Sequence, residues 1–241
     1  MTFTYTDFLA LFGVGGAHPG GLTLTKWLLE EHQLSKEASI LDVGCGTGQT
    51  SSYIATEYEC NVTPCDQNPV MIQKANERFA TLSLPLAALN ENAECLSFHN
   101  HSFDFVLSES VSIFSNLDCS LKEYARVLKP DGILLAIEMV RDEAMSKDDC
   151  EQLKAFYGFP QLLTETEWVE KLKQSGFNDI AILTPPSIEV DEHEVEDGTE
   201  FYLSSDVPDE LYDILDQHEH YTMKFAHLLG YRIFSCNVKE N

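Results

Sequence analysis

Basic side chains are scarce in this chain of 241 residues. It carries 15 Lys and Arg against 40 Asp and Glu, a formal net charge of −25. Such a surface repels phosphate backbones and anionic headgroups, so it excludes polyanionic nucleic acid and membrane lipid as partners. It suits a neutral or cationic small molecule, or serves only to keep the chain in solution. No apolar run approaches the ~20 residues that span a bilayer. The start, Met1 to Asp7, lacks the basic residues that open a secretory signal. The seven cysteines are an odd number with no Cys-x-x-Cys pair. That excludes a disulfide frame and a zinc ribbon, and predicts reduced thiols, no metal and a cytoplasmic location. There is no internal repeat.

What is present is organised around residues 39–48, Ser-Ile-Leu-Asp-Val-Gly-Cys-Gly-Thr-Gly. Ser39–Val43 is a short apolar run, the pattern of a buried parallel strand. It runs into Gly44-Cys45-Gly46-Thr47-Gly48, and a helical pattern follows over Gln49–Tyr58. A strand, a tight glycine turn and a helix start together form a nucleotide-binding corner. Glycines admit positive φ and let a ligand approach the backbone, and the helix start offers free N–H groups. Cys45 reads as a small residue of the turn. The glycine spacing is G-x-G-x-G, with Gln49 where dinucleotide folds place their third glycine. This argues against an NAD-linked oxidoreductase, which stays as an alternative.

With Asp42 ahead of the first glycine, the pattern D-x-G-x-G-x-G resembles motif I of class I S-adenosylmethionine-dependent methyltransferases, in their small-molecule group. The resemblance implies an α/β fold: a Rossmann-like doubly wound sheet of seven mostly parallel strands, an antiparallel last strand, and helices on both faces. It implies S-adenosyl-L-methionine as cofactor and S-adenosyl-L-homocysteine as product. In that family the loop passes under the methionine part of the cofactor, so Asp42, Gly44, Cys45, Gly46 and Gly48 are implied contacts.

The resemblance continues along the chain. Cys60–Cys65 reads as the second strand and ends at Asp66, the implied ribose-binding carboxylate, with Gln67 beside it. The other reading of Asp66 is a cap for the helix predicted over Pro69–Ala80, a role that suits Asn68 better. Pro64 donates no ladder hydrogen bond and predicts an irregular strand edge. Leu84–Leu89 reads as the third strand. Asn92-Ala93 stands where the family has Asp-Ala, so Asn92 is the implied contact of the adenine amino group and the Ala93 N–H that of a ring nitrogen. Phe103–Ser108 is the fourth strand, Ser120–Leu128 a helix and Ile133–Ile137 the fifth strand. The run Ala125-Arg-Val-Leu-Lys-Pro-Asp-Gly132 that joins them also matches the family.

Two acids fall at strand tips, where ligands of parallel sheets collect. Glu109 follows the fourth strand, as an implied cofactor contact and a candidate base. Glu138 follows the fifth, as a second candidate or a solvated loop acid. Ile113-Phe114 replaces the His-His pair of many small-molecule relatives and predicts an apolar wall. The tip lacks Asp/Asn-Pro-Pro-Tyr and Pro-Cys, which disfavours methylation of nucleic-acid or protein nitrogens and of cytosine carbon. Ahead of the core, Tyr5, Phe8, Leu9 and Phe12 lie at helical spacing in Thr4–Phe12. Gly13–Gly21 then holds five glycines and one proline. Within it His18 is the candidate lid residue with a chemical role, or a solvated capping histidine.

The remainder reads as a helix over Thr164–Ser175 with a capping box, a sixth strand over Asp179–Leu183, and an acidic loop over Ser187–Glu200. A helix over Asp206–Leu229 capped by Gly230 and a last strand over Tyr231–Val238 complete the chain. The whole predicts one domain over 1–241: an N-terminal lid at 1–21, a cofactor-binding core at 22–140, and a C-terminal half at 141–241 that completes the sheet. The implied activity is methyl transfer to a small-molecule acceptor, with His18, Glu109 and Glu138 as catalytic candidates. The other alternative is a protein that binds the cofactor for regulation and has lost catalysis.

Overall fold

A computed structural model describes residues 3–185 and 200–238. Helix α1 (Tyr5–Phe12) is closed at its start by a capping box, Thr4 and Asp7 satisfying each other's backbone N–H. The short strand β1 (Val14–Gly15) leads to α2 (Gly21–Glu31). Then strands and helices alternate: β2 (Ser39–Val43), α3 (Gln49–Glu57), β3 (Asn61–Asp66), α4 (Pro69–Thr81), β4 (Leu89–Asn90) and β5 (Phe103–Glu109). A 3-10 turn at Ser112–Phe114, α5 (Leu117–Val127) and β6 (Leu128–Arg141) follow. The C-terminal half adds α6 (Lys147–Tyr157), α7 (Glu165–Gln174), β7 (Phe177–Leu183), β8 (Glu200–Phe201), α8 (Glu210–Lys224) and β9 (Leu229–Val238).

Seven strands form one sheet in the order β4-β3-β2-β5-β6-β9-β7. Neighbours from β4 to β6 pair in parallel, and β9 runs antiparallel between β6 and β7. This is the doubly wound sheet with an antiparallel last strand that the motif implies. Both faces are covered because side chains alternate along each strand. In β2, Ile40 packs toward α2 and α3 with Leu24, Leu28 and Ile54, while Leu41 packs on the other face with Leu121, Tyr124 and Trp168. Leu28 and Tyr124 have no exposed surface. Burying a leucine fully stabilises by roughly 1.5–3 kcal/mol. The chain leaves β2 toward β3 on one side and returns as β5 on the other. That reversal opens a crevice at the carboxyl ends of β2 and β5.

The structure corrects several boundaries. The third strand is only Leu89–Asn90. Pro85 cannot donate to a ladder, and Leu84 and Leu86 instead pack against Phe79 of α4. Strand β3 is regular through Pro64, which pairs opposite Asp42, because β4 reaches only Cys65 and Asp66 on its other side. The last helix ends at Lys224, and Gly230 is no cap: it lies inside β9 opposite Val140. The fifth strand extends to Arg141, and a left-handed turn within it falls on Asp131. Helix α6 was missed; its signal is Ser146, whose hydroxyl caps the Asp149 N–H. The acidic stretch 187–200 lies outside the described residues except for Glu200, which pairs with Gly15.

Candidate active site

The glycine turn lies at the crevice and borders a cavity of about 1220 Å³. Asp42, Gly44, Cys45 and Gly46 line it from the turn, Asp66 and Gln67 from the tip of β3, and Asn92 and Ala93 from the segment after β4. Gly44 and Gly46 both have positive φ, 68° and 53°. They differ in what stands before them. A Cβ on Gly44 would run into the Val111 side chain, whereas one on Gly46 would meet nothing nearer than the Gly44 carbonyl oxygen at 4.0 Å. The Gly46 backbone is therefore open to the cavity. Gly48 does not line it. It starts α3, and a Cβ there would meet the Phe79 ring at 2.7 Å.

Asp66 is anchored rather than loose. Its carboxylate accepts the Gly46 N–H at 3.0 Å and the Asn68 N–H at 2.8 Å. The cap of α4 is Asn68, which accepts the Val70 N–H at 2.9 Å. Burial raises the Asp66 pKa, and the N–H bonds from Asn68 and Gly46 pull it back. Each oxygen keeps a lone pair for a ligand hydroxyl. Asp42 is almost fully buried, accepts from the Ser51 hydroxyl, and is pushed up to about 7 by burial and then by the Glu109 charge. Asn92 spends one lone pair of its side-chain oxygen on the Glu94 N–H at 2.8 Å, which leaves a second for a ligand. Thr47 Oγ1 is buried at the cavity with no hydrogen-bond partner among the described residues.

Two candidates 91 positions apart in the sequence meet here. His18 Nε2 lies 3.6 Å from Glu109 Oε2, and both side chains line the cavity. Glu109 is held by the hydroxyls of Thr25 on α2 and of Thr50 on α3, the latter at 2.8 Å. His18 Nδ1 sits 3.2 Å from the Pro19 carbonyl, and Nε2 3.3 Å from Thr25 Oγ1. The imidazole is thus positioned on both sides, and the pair can take up and pass on a proton at the cavity wall.

Glu138 is a correction. It does not line the cavity and has no exposed surface. Its carboxylate lies behind the 3-10 turn, accepting from Ser112 N–H at 3.1 Å, Ile113 N–H at 3.3 Å and Ser108 Oγ at 3.2 Å. Burial raises its pKa to about 7 against those bonds. It holds the turn whose Ile113 and Phe114 do face the cavity.

Rings wall the other half of the cavity. Tyr5 and Phe8 come from α1, Phe114 from the 3-10 turn, Tyr157 from α6, with Phe159 just beyond. Tyr157 Oη is 3.0 Å from His218 Nδ1 of α8, and burial lowers the His218 pKa. Tyr157, Phe159, His218 and Glu219 escaped the sequence reading. They lie outside the motif-bearing region, and only the helical spacing of α6 and α8 could have pointed to them. The cover over this half includes β1, paired antiparallel with β8, and α1, whose Phe8 and Phe12 pack on Leu211 of α8.

An open sheet with its glycine corner and anchored strand-tip carboxylate at the switch point defines a Rossmann-like cofactor-binding fold. The comparisons narrow this. The family described as a methyltransferase domain matches residues 40–132. The Uncharacterized methyltransferase YodH of Bacillus subtilis (strain 168) is 40% identical over 230 residues, covering 95% of this chain and 97% of that one. The chain belongs to the S-adenosylmethionine-dependent methyltransferase family. Phosphoethanolamine N-methyltransferase 1 of Arabidopsis thaliana is 28% identical over 173 residues, covering 70% of this chain but 35% of that one. Among solved structures, Haemonchus contortus phosphoethanolamine N-methyltransferase 2, in complex with phosphomonomethylethanolamine and S-adenosylhomocysteine, shares the fold. Its TM-score is 0.77 at 19% identity, over 98% of this chain and 57% of that one. Among the described residues, no helix is long and apolar enough to cross a membrane.

Proposed function

We propose that this methyltransferase transfers a methyl group from S-adenosylmethionine to a small-molecule acceptor, neutral or cationic. The observation that carries this is that one cavity joins the glycine corner to the ring-walled half. Its volume of about 1220 Å³ exceeds the roughly 300–1,000 Å³ common for a single ligand, so it has room for two. The cofactor supplies an electrophilic methyl carbon when bound. The corner suits it: open space before Gly46, the orphaned Thr47 hydroxyl and the spare lone pairs of Asp66 match a ligand rich in polar atoms. In this reading Asp42, Gly44, Cys45, Gly46, Gln67, Asn92 and Ala93 complete the cofactor site, and Asp66 takes the ribose hydroxyls.

His18 and Glu109 accept or orient the acceptor's proton, and the ring wall excludes water from the reacting groups. Residues 1–21 act as a lid over a single domain spanning 1–241, and β8 and α8 share in that cover. The protein works in the cytoplasm, away from membranes and nucleic acid, as its net charge of −25 suits. Calorimetry with S-adenosylhomocysteine and NADH separates this reading from an oxidoreductase. Acceptor screening with labelled cofactor separates it from a regulatory binder: cofactor binding with no transfer to any acceptor would favour the regulator.

A further inference from the structure

The ring-walled half of the cavity has a distinct chemistry. Its rings pack on one another: Tyr5 and Tyr157 are 4.8 Å apart between centroids, Phe114 and Phe159 4.9 Å, and Tyr157 and Phe159 5.0 Å. The charge in the cavity has one sign. Among the described residues no Lys or Arg lines it, whereas Glu94 and Glu109 do, with Glu219 at an exposed edge. The sequence of 186–199 contains no Lys or Arg either. The two cations of α4 behind the cover are engaged elsewhere: Lys74 Nζ with the Tyr202 carbonyl, and Arg78 with Glu200.

An acceptor bearing phosphate or carboxylate would enter such a chamber with no Lys or Arg to pair with among the described residues, and against carboxylates. A cation meets the opposite: aromatic π-systems, which attract ammonium groups, and acidic side chains. We propose that this chamber is the acceptor site and that it takes an amine, cationic at neutral pH, that carries neither phosphate nor carboxylate. The inference rests on the methyltransferase reading and deepens it. The bound ammonium gives its proton to a base such as His18. Its nitrogen lone pair then forms the new N–C bond while the methyl C–S bond breaks toward sulfur. The positive charge leaves sulfur and ends on the acceptor nitrogen, inside the chamber, so rings and carboxylates stabilise the charge as it arrives.

The test uses three probes on the full chain saturated with S-adenosylhomocysteine: choline, its neutral isostere 3,3-dimethyl-1-butanol, and phosphocholine. Choline should bind at least tenfold more tightly than either. Phe114→Leu removes a ring but keeps an apolar side chain, and should weaken choline at least fivefold. Glu219→Gln, at an exposed position, should weaken it measurably with no effect on folding. Both variants should bind S-adenosylhomocysteine within twofold of the parent. Equal binding of the neutral isostere would make the chamber a site for uncharged acceptors and overturn the proposal. So would tighter binding of phosphocholine, or no binding of choline. Failure of S-adenosylhomocysteine to bind would instead sink the cofactor reading, and the choline ratio would still be read on the free protein.

Discussion

Glu138 should make the protein less stable as the pH rises toward neutrality, through a part of the molecule that shapes the cavity wall. Its carboxyl has an ordinary pKa of 4.5 and is raised by burial to about 7. The folded state therefore holds this proton more tightly than the unfolded chain does. Between pH 4.5 and about 7 the native state binds more protons, so stability falls as the pH rises through that window. Below the window the group contributes nothing. At 1.36 kcal/mol per pH unit, the cost at neutral pH is on the order of 3 kcal/mol. Asp42, also raised to about 7 by burial, adds a term of the same sign. Glu138→Gln removes the ionisation. Its amide turns an N–H donor toward the Ile113 N–H, now bonded at 3.3 Å, and so costs about 1–3 kcal/mol at acidic pH. Urea unfolding at pH 5 and pH 8 reads both effects. The stability deficit of the variant should shrink by about 2–3 kcal/mol from the lower to the higher pH. A deficit identical at both would mean that Glu138 ionises normally, and the account of this buried carboxyl would be wrong.

Four further substitutions bear on the site. Gly46→Ala should fold, with a loss of about 1–2 kcal/mol for a left-handed alanine, yet lose S-adenosylhomocysteine binding by calorimetry; Gly44→Ala should also lose thermal stability, because its Cβ runs into Val111. Asp66→Ala should weaken S-adenosylhomocysteine by roughly 1.5–3 kcal/mol, the range for hydrogen bonds to a charged group, and unchanged affinity would remove the ribose assignment. His18→Ala should lower turnover at least tenfold with cofactor affinity within twofold; equal losses in both would make His18 a binding residue alone.

The parts of the fold that were legible in the sequence are those with a local cause. Asn68 caps α4 and Thr164 caps α7 because a side-chain oxygen reaches an N–H two or three residues on. The turn at Gly44–Gly48 was readable because only glycine tolerates its backbone angles without cost. What was illegible depends on pairing across distance. Gly230 looked like a helix cap because glycine favours helix ends, but β6 runs on to Arg141 and pairs with β9 as far as Leu229. The pairing of Val14–Gly15 with Glu200–Phe201 joins segments with no periodicity of their own. Tyr157 and His218 meet only because α6 and α8 pack across the cavity.

The two strand-tip acids show why a site candidate needs the register as well as the motif. Glu109 and Glu138 each end an apolar strand and look equivalent in the sequence. In the sheet, Glu109 pairs with Ile137, not with Glu138. Paired residues share a face and successive residues alternate, so Glu138 must point to the opposite side. The packing agrees. Leu107 and Ile137 lie with α2 and α3, the helices whose Thr25 and Thr50 hold Glu109 at the cavity. Leu134 and Ala136, in phase with Glu138, lie with α5 on the other face. There Glu138 finds Ser108 and the backbone of the 3-10 turn. A shift of one residue between β5 and β6 would pair Glu109 with Glu138 and put both acids on one face. One carboxylate therefore faces the cavity with His18, and the other holds the turn that sets Ile113 and Phe114 at the cavity wall.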